Sequence, residues 1–272
     1  MTTVRSHYSR EDLFEALGSL GVSRGDVIFC HVSLGRLGLP PGGTDMTAAS
    51  ELLVGVLKET VGETGAVLVP TYSYSFGKGK PFDVAHTPSA IGDFTEYFRK
   101  SPRTLRSRDP MLSVAGWGDR SVDLFRDLPH TCYGRGSLYE RLRHQNAMIC
   151  VVGLGMHWAT FRHHIEELAE VPFRFTKAFA GEIREGTKSS TETWDYSARY
   201  LTDSCRPDGN RLAAMVAEEG LSRTVPLGLS SMSAIRADQY FDFALEEMKR
   251  EPWLSARGPA CQIDELTPFK DP

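Results

Sequence analysis

The chain has 272 residues, with 31 Lys and Arg against 35 Asp and Glu, a formal net charge of −4. At that length, 41% apolar and 24% charged residues support a buried core and exclude wholesale disorder, and the slight acidic excess supplies no general field for nucleic acid or an anionic membrane. Five cysteines without CxxC spacing read as buried thiols in a reducing cytoplasm, and no apolar stretch has the length of a signal peptide or membrane span.

Ser9, Glu11 and Asp12 have the form of a capping box, with Asp in the usual place of Glu, and predict a helix to about residue 20. VIFCHV, Val27–Val32, is short and rich in β-branched residues, as a strand buried on both faces requires. SLGRLGLPPGG then forbids regular structure, and Thr44 is the predicted N-cap of a helix running to about residue 61. AVLVP, Ala66–Pro70, is a second buried strand. The stretch 71–89 carries Gly, Pro and several aromatics, which predicts an ordered, functional loop. A helix is expected over 90–100, strands over 111–116 and 148–153, a helix over 159–169, and a closing amphipathic helix over 234–250. This order predicts one α/β domain over 1–272, with function on loops at the strand ends.

The densest cluster of reactive side chains is Thr160, His163, His164, Glu166 and Glu167. Helical spacing places Glu166 and Glu167 on the face of His163 and turns His164 elsewhere. A carboxylate beside an imidazole fixes its tautomer, as a general base requires; a solvated helix face gives the same pattern without chemistry. Adjacent histidines do not have the i,i+4 spacing of a zinc helix, yet a metal-dependent hydrolase using His157, His163, His164 and Glu166 remains a competing reading. His31 stands where the first strand empties into the glycine-rich loop, which is neither GxGxxG nor a P-loop but leads to a helix start that suits phosphate. Residues 99–108 carry five basic side chains, and a local basic run on an acidic chain suggests an anionic ligand or a solvated loop.

Taken in order, HVSLGRLG…GG, GAVLVPTYSYSF, FDVAHTPSAIG, RSRDPMLSVAGWG and TFRHHIEE followed by VPFRF resemble the aminoglycoside 3-N-acetyltransferase family over about residues 10–180. The resemblance implies an α/β fold with a central mixed sheet flanked by helices, unrelated to the GNAT acetyltransferases. It implies an acyl-CoA donor, acetyl-CoA first, an amine acceptor and no metal. The family's TxxHxxE motif falls on Thr160, His163 and Glu166, so His163 is the implied base and Glu166 its partner. The strand-end motif falls on His31, Val32, Ser33, Leu34 and Gly35, and the RSxxP loop on Arg106, Ser107 and Pro110 with Asp109 between; both are implied to bind coenzyme A. Tyr72, Asp83, Glu167 and Asp195 are the expected acceptor contacts, the carboxylates holding an ammonium, with Glu192 as the alternative to Asp195. Asp109 and Val32 depart from the aminoglycoside-acting branch, which usually shows His and a small hydroxyl residue there; the Asp form, with TYSYSF and the TFxHxIEE variant, resembles relatives from polysaccharide and natural-product pathways. The expected protein is a cytoplasmic monomer or homodimer, with aminoglycoside resistance as one alternative role. A noncatalytic coenzyme A-binding protein is another, disfavoured by the His/Glu pair.

Overall fold

The computed structural model describes residues 7–40 and 45–262. Helix α1 (Arg10–Ser19) is capped by Ser9, whose hydroxyl accepts from the Asp12 backbone while the Asp12 carboxylate accepts from the Ser9 N–H. Strand β1 (Val27–Val32) follows, then α2 (Met46–Val61). Thr44, the expected cap of α2, lies outside the described residues; Asp45 fills that role, accepting from the backbone of Thr47 and Ala48 at 2.9 Å each. Strand β2 (Ala66–Pro70) leads into the aromatic loop, which holds a short strand β3 (Phe82–Asp83) before α3 (Asp93–Lys100).

Strands β4 (Leu105–Arg106) and β5 (Val114–Trp117) come next. β5 starts later than its sequence suggested because the Asp109 carboxylate takes the N–H groups of Met111 and Leu112, both at 2.8 Å, and bends that segment into a turn. Then follow α4 (Asp119–Phe125), α5 (Leu138–His144), β6 (Met148–Val152) and α6 (Arg162–Leu168). A long hairpin, β7 (Arg174–Glu185) with β8 (Lys188–Arg199), precedes α7 (Asn210–Glu218), β9 (Arg223–Leu227), β10 (Ser230–Arg236) and α8 (Ala237–Arg250). Residues 234–236, expected to open the last helix, instead pair with β6.

Seven strands form one mixed sheet in the order β4-β5-β2-β1-β6-β10-β9, and β3-β7-β8 form a second sheet. β1 lies between β2 and β6 and is parallel to both, so neither face of it meets water. Its alternate side chains feed two cores. Ile28 and Cys30 pack with α1 and α2 residues such as Leu13, Leu17 and Leu53. Val27 and Phe29 pack on the other face with Leu142, Ile165, Phe241 and Ala244 from α5, α6 and α8. The sheet is thus covered by helices on both sides, and the C-terminal ends of β1, β2 and β6 open together. Gly153, after β6, holds φ +68° and lies where a Cβ would stand 2.4 Å from the Ser33 carbonyl, so glycine lets the β1 and β6 exits close on each other. Among the described residues no helix is long and apolar enough to cross a membrane.

Candidate active site

His163 is the second residue of α6, in its first turn rather than one turn in, because Met156–Trp158 forms a separate 3-10 turn and the α-helix begins only at Arg162. Its ring lines a cleft of about 430 Å³ walled by Tyr72, Tyr74, Tyr133, Thr160, Arg174 and Tyr196, with Met111, Leu112, Phe179, Ala198 and Leu201 adding apolar surface. This volume suits a small organic ligand.

Glu166 lies directly beneath the ring and is fully buried, its Oε2 2.7 Å from His163 Nδ1. Burial alone would raise the Glu166 carboxyl, but the guanidinium of Arg174, His163 and then Arg162 outweigh it and hold the group well below the usual carboxylate range. Ser255 also donates to Glu166 Oε1 at 2.7 Å, and Arg162 Nε stands 3.4 Å from the same oxygen. An ionised carboxylate only accepts, so the bond to Glu166 calls for the proton of a neutral His163 on Nδ1, which leaves the lone pair on Nε2. Arg174 Nη2 is 2.6 Å from that same Nδ1. A guanidinium only donates, so this contact suits the opposite tautomer, with the proton on Nε2; Arg174 also donates to Glu166 through Nε and to the Ser197 carbonyl through Nη1 at 2.7 Å. Burial drives the His163 pKa down to about 4, with Glu166 opposing and Arg174 reinforcing the shift, so the ring is an unprotonated base at neutral pH.

His164 turns into the core, its Nδ1 against the Tyr133 carbonyl and its ring packed on Phe161 and Phe241. His157, His163 and His164 do not converge, and among the described residues no three His, Cys, Asp or Glu side chains form a metal-holding group.

His31, at the end of β1, stands behind the cleft wall. Its Nε2 accepts from the Thr160 backbone at 3.3 Å and lies 2.8 Å from Thr160 Oγ1, which in turn meets the Tyr72 hydroxyl at 2.6 Å; Tyr72 meets Tyr139 at 2.7 Å. Burial, with Arg162 and His163 adding to it, lowers the His31 pKa to about 3. A neutral His31 therefore terminates a line of hydroxyls donating from Tyr139 through Tyr72 and Thr160. Its Nδ1 is buried without a partner among the described residues. Val32, Ser33, Leu34 and Gly35 follow at the strand exit without lining the cleft; Leu34 is buried and open space surrounds the Cβ position of Gly35.

The other expected contacts are placed elsewhere. Arg106 holds the aromatic loop: Nε donates to Ser113 Oγ at 3.1 Å, Nη2 to the Thr71 carbonyl at 2.8 Å, and Nη1 to the carbonyls of Thr87 and Val84. Ser107 Oγ accepts from Val114 N, and Asp109 organises the turn to Met111 and Leu112. The bonds described for these three go to the chain itself. Arg99, Arg106 and Arg108 border a separate basic hollow that shares no lining residue with the cleft. Asp83 binds its own neighbours Ala85 and His86, Glu192 pairs with Arg108 at 2.6 Å, and neither Glu167 nor Asp195 lines the cleft. Of the expected acceptor contacts, Tyr72 alone does so.

Sequence reasoning assigned no role to Lys78, Tyr74, Arg174, Tyr196 or Arg199, all of which line the cleft. The signal for Arg174 was present in the VPFRF segment, but only the hairpin brings it back to α6.

A profile described as Aminoglycoside 3-N-acetyltransferase matches residues 29–249. The chain belongs to the aminoglycoside 3-N-acetyltransferase family. It is 24% identical over 288 residues to aminoglycoside N(3)-acetyltransferase VII of Streptomyces paromomycinus, covering 92% of this chain and 94% of that one. It is 26% identical over 185 residues to aminoglycoside N(3)-acetyltransferase III of Acinetobacter baumannii, covering 61% and 62%. Among solved structures, aminoglycoside acetyltransferase AAC(3)-Xa superposes with a TM-score of 0.76 at 22% identity, covering 90% of this chain and 93% of that one. AAC-IIIb, solved as a binary complex with CoASH, gives 0.75 at 22% identity, covering 89% and 96%. The central mixed sheet with helices on both faces is therefore the fold of this family of acyl-CoA-dependent N-acetyltransferases.

Proposed function

We propose that this chain moves an acyl group, most readily acetyl, from acyl-coenzyme A to a primary amine of an amino-sugar-like or related natural-product acceptor, with His163 as general base. The observation that carries this reading is the neutral His163 ring in the cleft wall, its Nδ1 2.7 Å from an ionised, fully buried Glu166. An alkyl ammonium must lose one proton to water before it attacks a thioester, and the attacking nitrogen must shed a second as the amide forms. In its Nδ1–H tautomer, His163 takes that second proton on Nε2 as the amine nitrogen bonds to the thioester carbonyl carbon. When the C–S bond breaks, the same nitrogen returns a proton to the departing thiolate, and Glu166 stabilises the transient imidazolium between the two events. The apolar wall of Met111, Leu112 and Phe179 suits the pantetheine arm and acyl group, and limits water at the thioester.

The relatives are named for aminoglycosides, and this role stays the alternative within the same chemistry. The test is thiol release from acetyl-CoA with a panel of primary amines, run beside calorimetric binding of coenzyme A. Binding with amine-dependent thiol release supports the transferase; a protein that binds coenzyme A but never releases thiol with any amine refutes it.

A further inference from the structure

The charge of the cleft bears on its acceptor. Among the described residues lining it, the charged side chains are Lys78, Arg174 and Arg199, and none is Asp or Glu. Arg174 is matched by the buried Glu166. Lys78 and Arg199 are not matched in this way. Lys78 Nζ donates to the Ser73 carbonyl at 2.9 Å and stands 5.7 Å from the centre of the Tyr74 ring, while Arg199 donates to the Tyr200 carbonyl at 3.0 Å. Neither makes an ion pair with a described carboxylate, so two positive charges border the cleft beside the base.

The acids nearest in sequence do not line the cleft. Asp195 precedes the lining residue Tyr196 on β8 but is not itself part of the cleft wall. Asp208 follows the lining residue Pro207 and turns to cap Asn210 at 3.0 Å. A polycationic acceptor would bring several ammonium groups against Lys78 and Arg199 with no carboxylate among the described lining residues to receive them.

We propose that the acceptor is an amine that also carries an anionic oxyacid group, a phosphate or a carboxylate, received by Lys78 and Arg199 while its ring or sugar face lies on the tyrosines of the cleft. This rests on the acyl-transfer reading above and narrows its acceptor. Charge-assisted bonds from lysine and arginine suit either oxyacid, and they place the amine at a fixed distance from the anionic group.

The test is calorimetric binding to the coenzyme A-saturated protein with two matched pairs: glucosamine 6-phosphate against glucosamine, and 4-(aminomethyl)benzoate against benzylamine. Sisomicin serves as the polycation. At least one anionic amine is expected to bind about tenfold or more tighter than the parent amine that lacks the oxyacid group, the first pair reporting a phosphate preference and the second a carboxylate preference. Lys78→Ala with Arg199→Ala should shrink that ratio to within about twofold and leave coenzyme A affinity unchanged; Arg199→Gln alone gives the same comparison if the double variant melts early. The proposal is overturned if neither pair shows a preference or if sisomicin binds tightest. It is equally overturned if the double variant weakens coenzyme A as much as the amine, which would assign both cations to the cosubstrate's phosphates. Thiol release is read separately. A persistent anionic preference without thiol release would remove the transferase and leave the charge selection standing.

Discussion

Replacing His163 by alanine removes the ring that Glu166 orients while leaving the apolar cleft wall in place. A lost general base costs roughly 10²–10⁴-fold, so His163→Ala should lower kcat/KM by that factor with coenzyme A affinity retained. His164→Ala should act differently, because that ring fills the core between Phe161 and Phe241. It should lose about 2–4 kcal/mol of stability, read as an earlier melt, with activity of the folded fraction within about tenfold of wild type. Glu166→Gln is the harsher change. The carboxylate is the shared partner of Arg174, Arg162, Ser255 and His163, and neutralising it leaves two guanidiniums and a buried ring uncompensated. About 3–5 kcal/mol of destabilisation follows, and activity should fall at least as far as in His163→Ala. The low pKa of His163 also predicts the pH profile. With that ring neutral down to about pH 4, a limb of kcat/KM between pH 6 and 9 comes from the acceptor ammonium, and should move with the pKa of the amine supplied. A limb fixed near pH 6.5 for every amine would contradict the buried, neutral ring.

The strands that carry the site were legible because burial on both faces leaves only one kind of sequence: VIFCHV, AVLVP and MICVV are short apolar runs with no polar face to confuse the reading. Thr160, His163 and Glu166 were legible together because one short segment spans them. The β7–β8 hairpin was not, since most of its side chains are exposed or half-exposed and KSSTETWDYSAR lacks an apolar face. With that hairpin hidden, Arg174 and Arg199 had no visible route to the site. The basic run was only partly legible for a related reason: charge reads as a surface property until its bonds are known, and Arg106 turns inward to hold the loop that carries Tyr72 and Tyr74. Its burial lowers its pKa to about 10, and its bonds reach backbone carbonyls on both sides of that loop. Arg106→Ala should therefore open protease cleavage within 71–89 and raise the acceptor KM several-fold. Lysine, with one ammonium in place of a planar fork, should not restore either property. Retained protection of this loop in Arg106→Ala would show that the aromatic packing alone holds it.

Across the whole molecule, the core stores neutral histidines and an ionised glutamate, and both make the fold sensitive to acid. His31 and His163 have pKa values lowered from 6.5 to about 3 and about 4, in each case mainly by burial. An unfolded chain takes up these two protons as pH falls through 6.5, while the folded chain refuses them until far lower. Stability therefore rises with pH across this window: the contribution is complete above about pH 7 and is lost progressively below 6.5. Each histidine adds about 1.4 kcal/mol per pH unit well inside the window, so the pair approaches 3 kcal/mol per unit near pH 5. Glu166, held well below its ordinary 4.5, has the same sign and adds its own loss as pH drops through and below that value. Against a total stability of roughly 5–15 kcal/mol, two units of acidification are enough to bring the melt close to ambient temperature. The expected record is a Tm nearly flat from pH 8 to 7 and falling steeply from 6.5 to 5. Added salt should change that slope little, because these groups lie in the interior rather than among screened surface pairs. A His31→Asn variant should flatten the slope by about one proton. A wild-type Tm that holds constant from pH 8 to 5 would mean that neither imidazole is kept neutral by burial, and the proton assignment at His163 would fail with it.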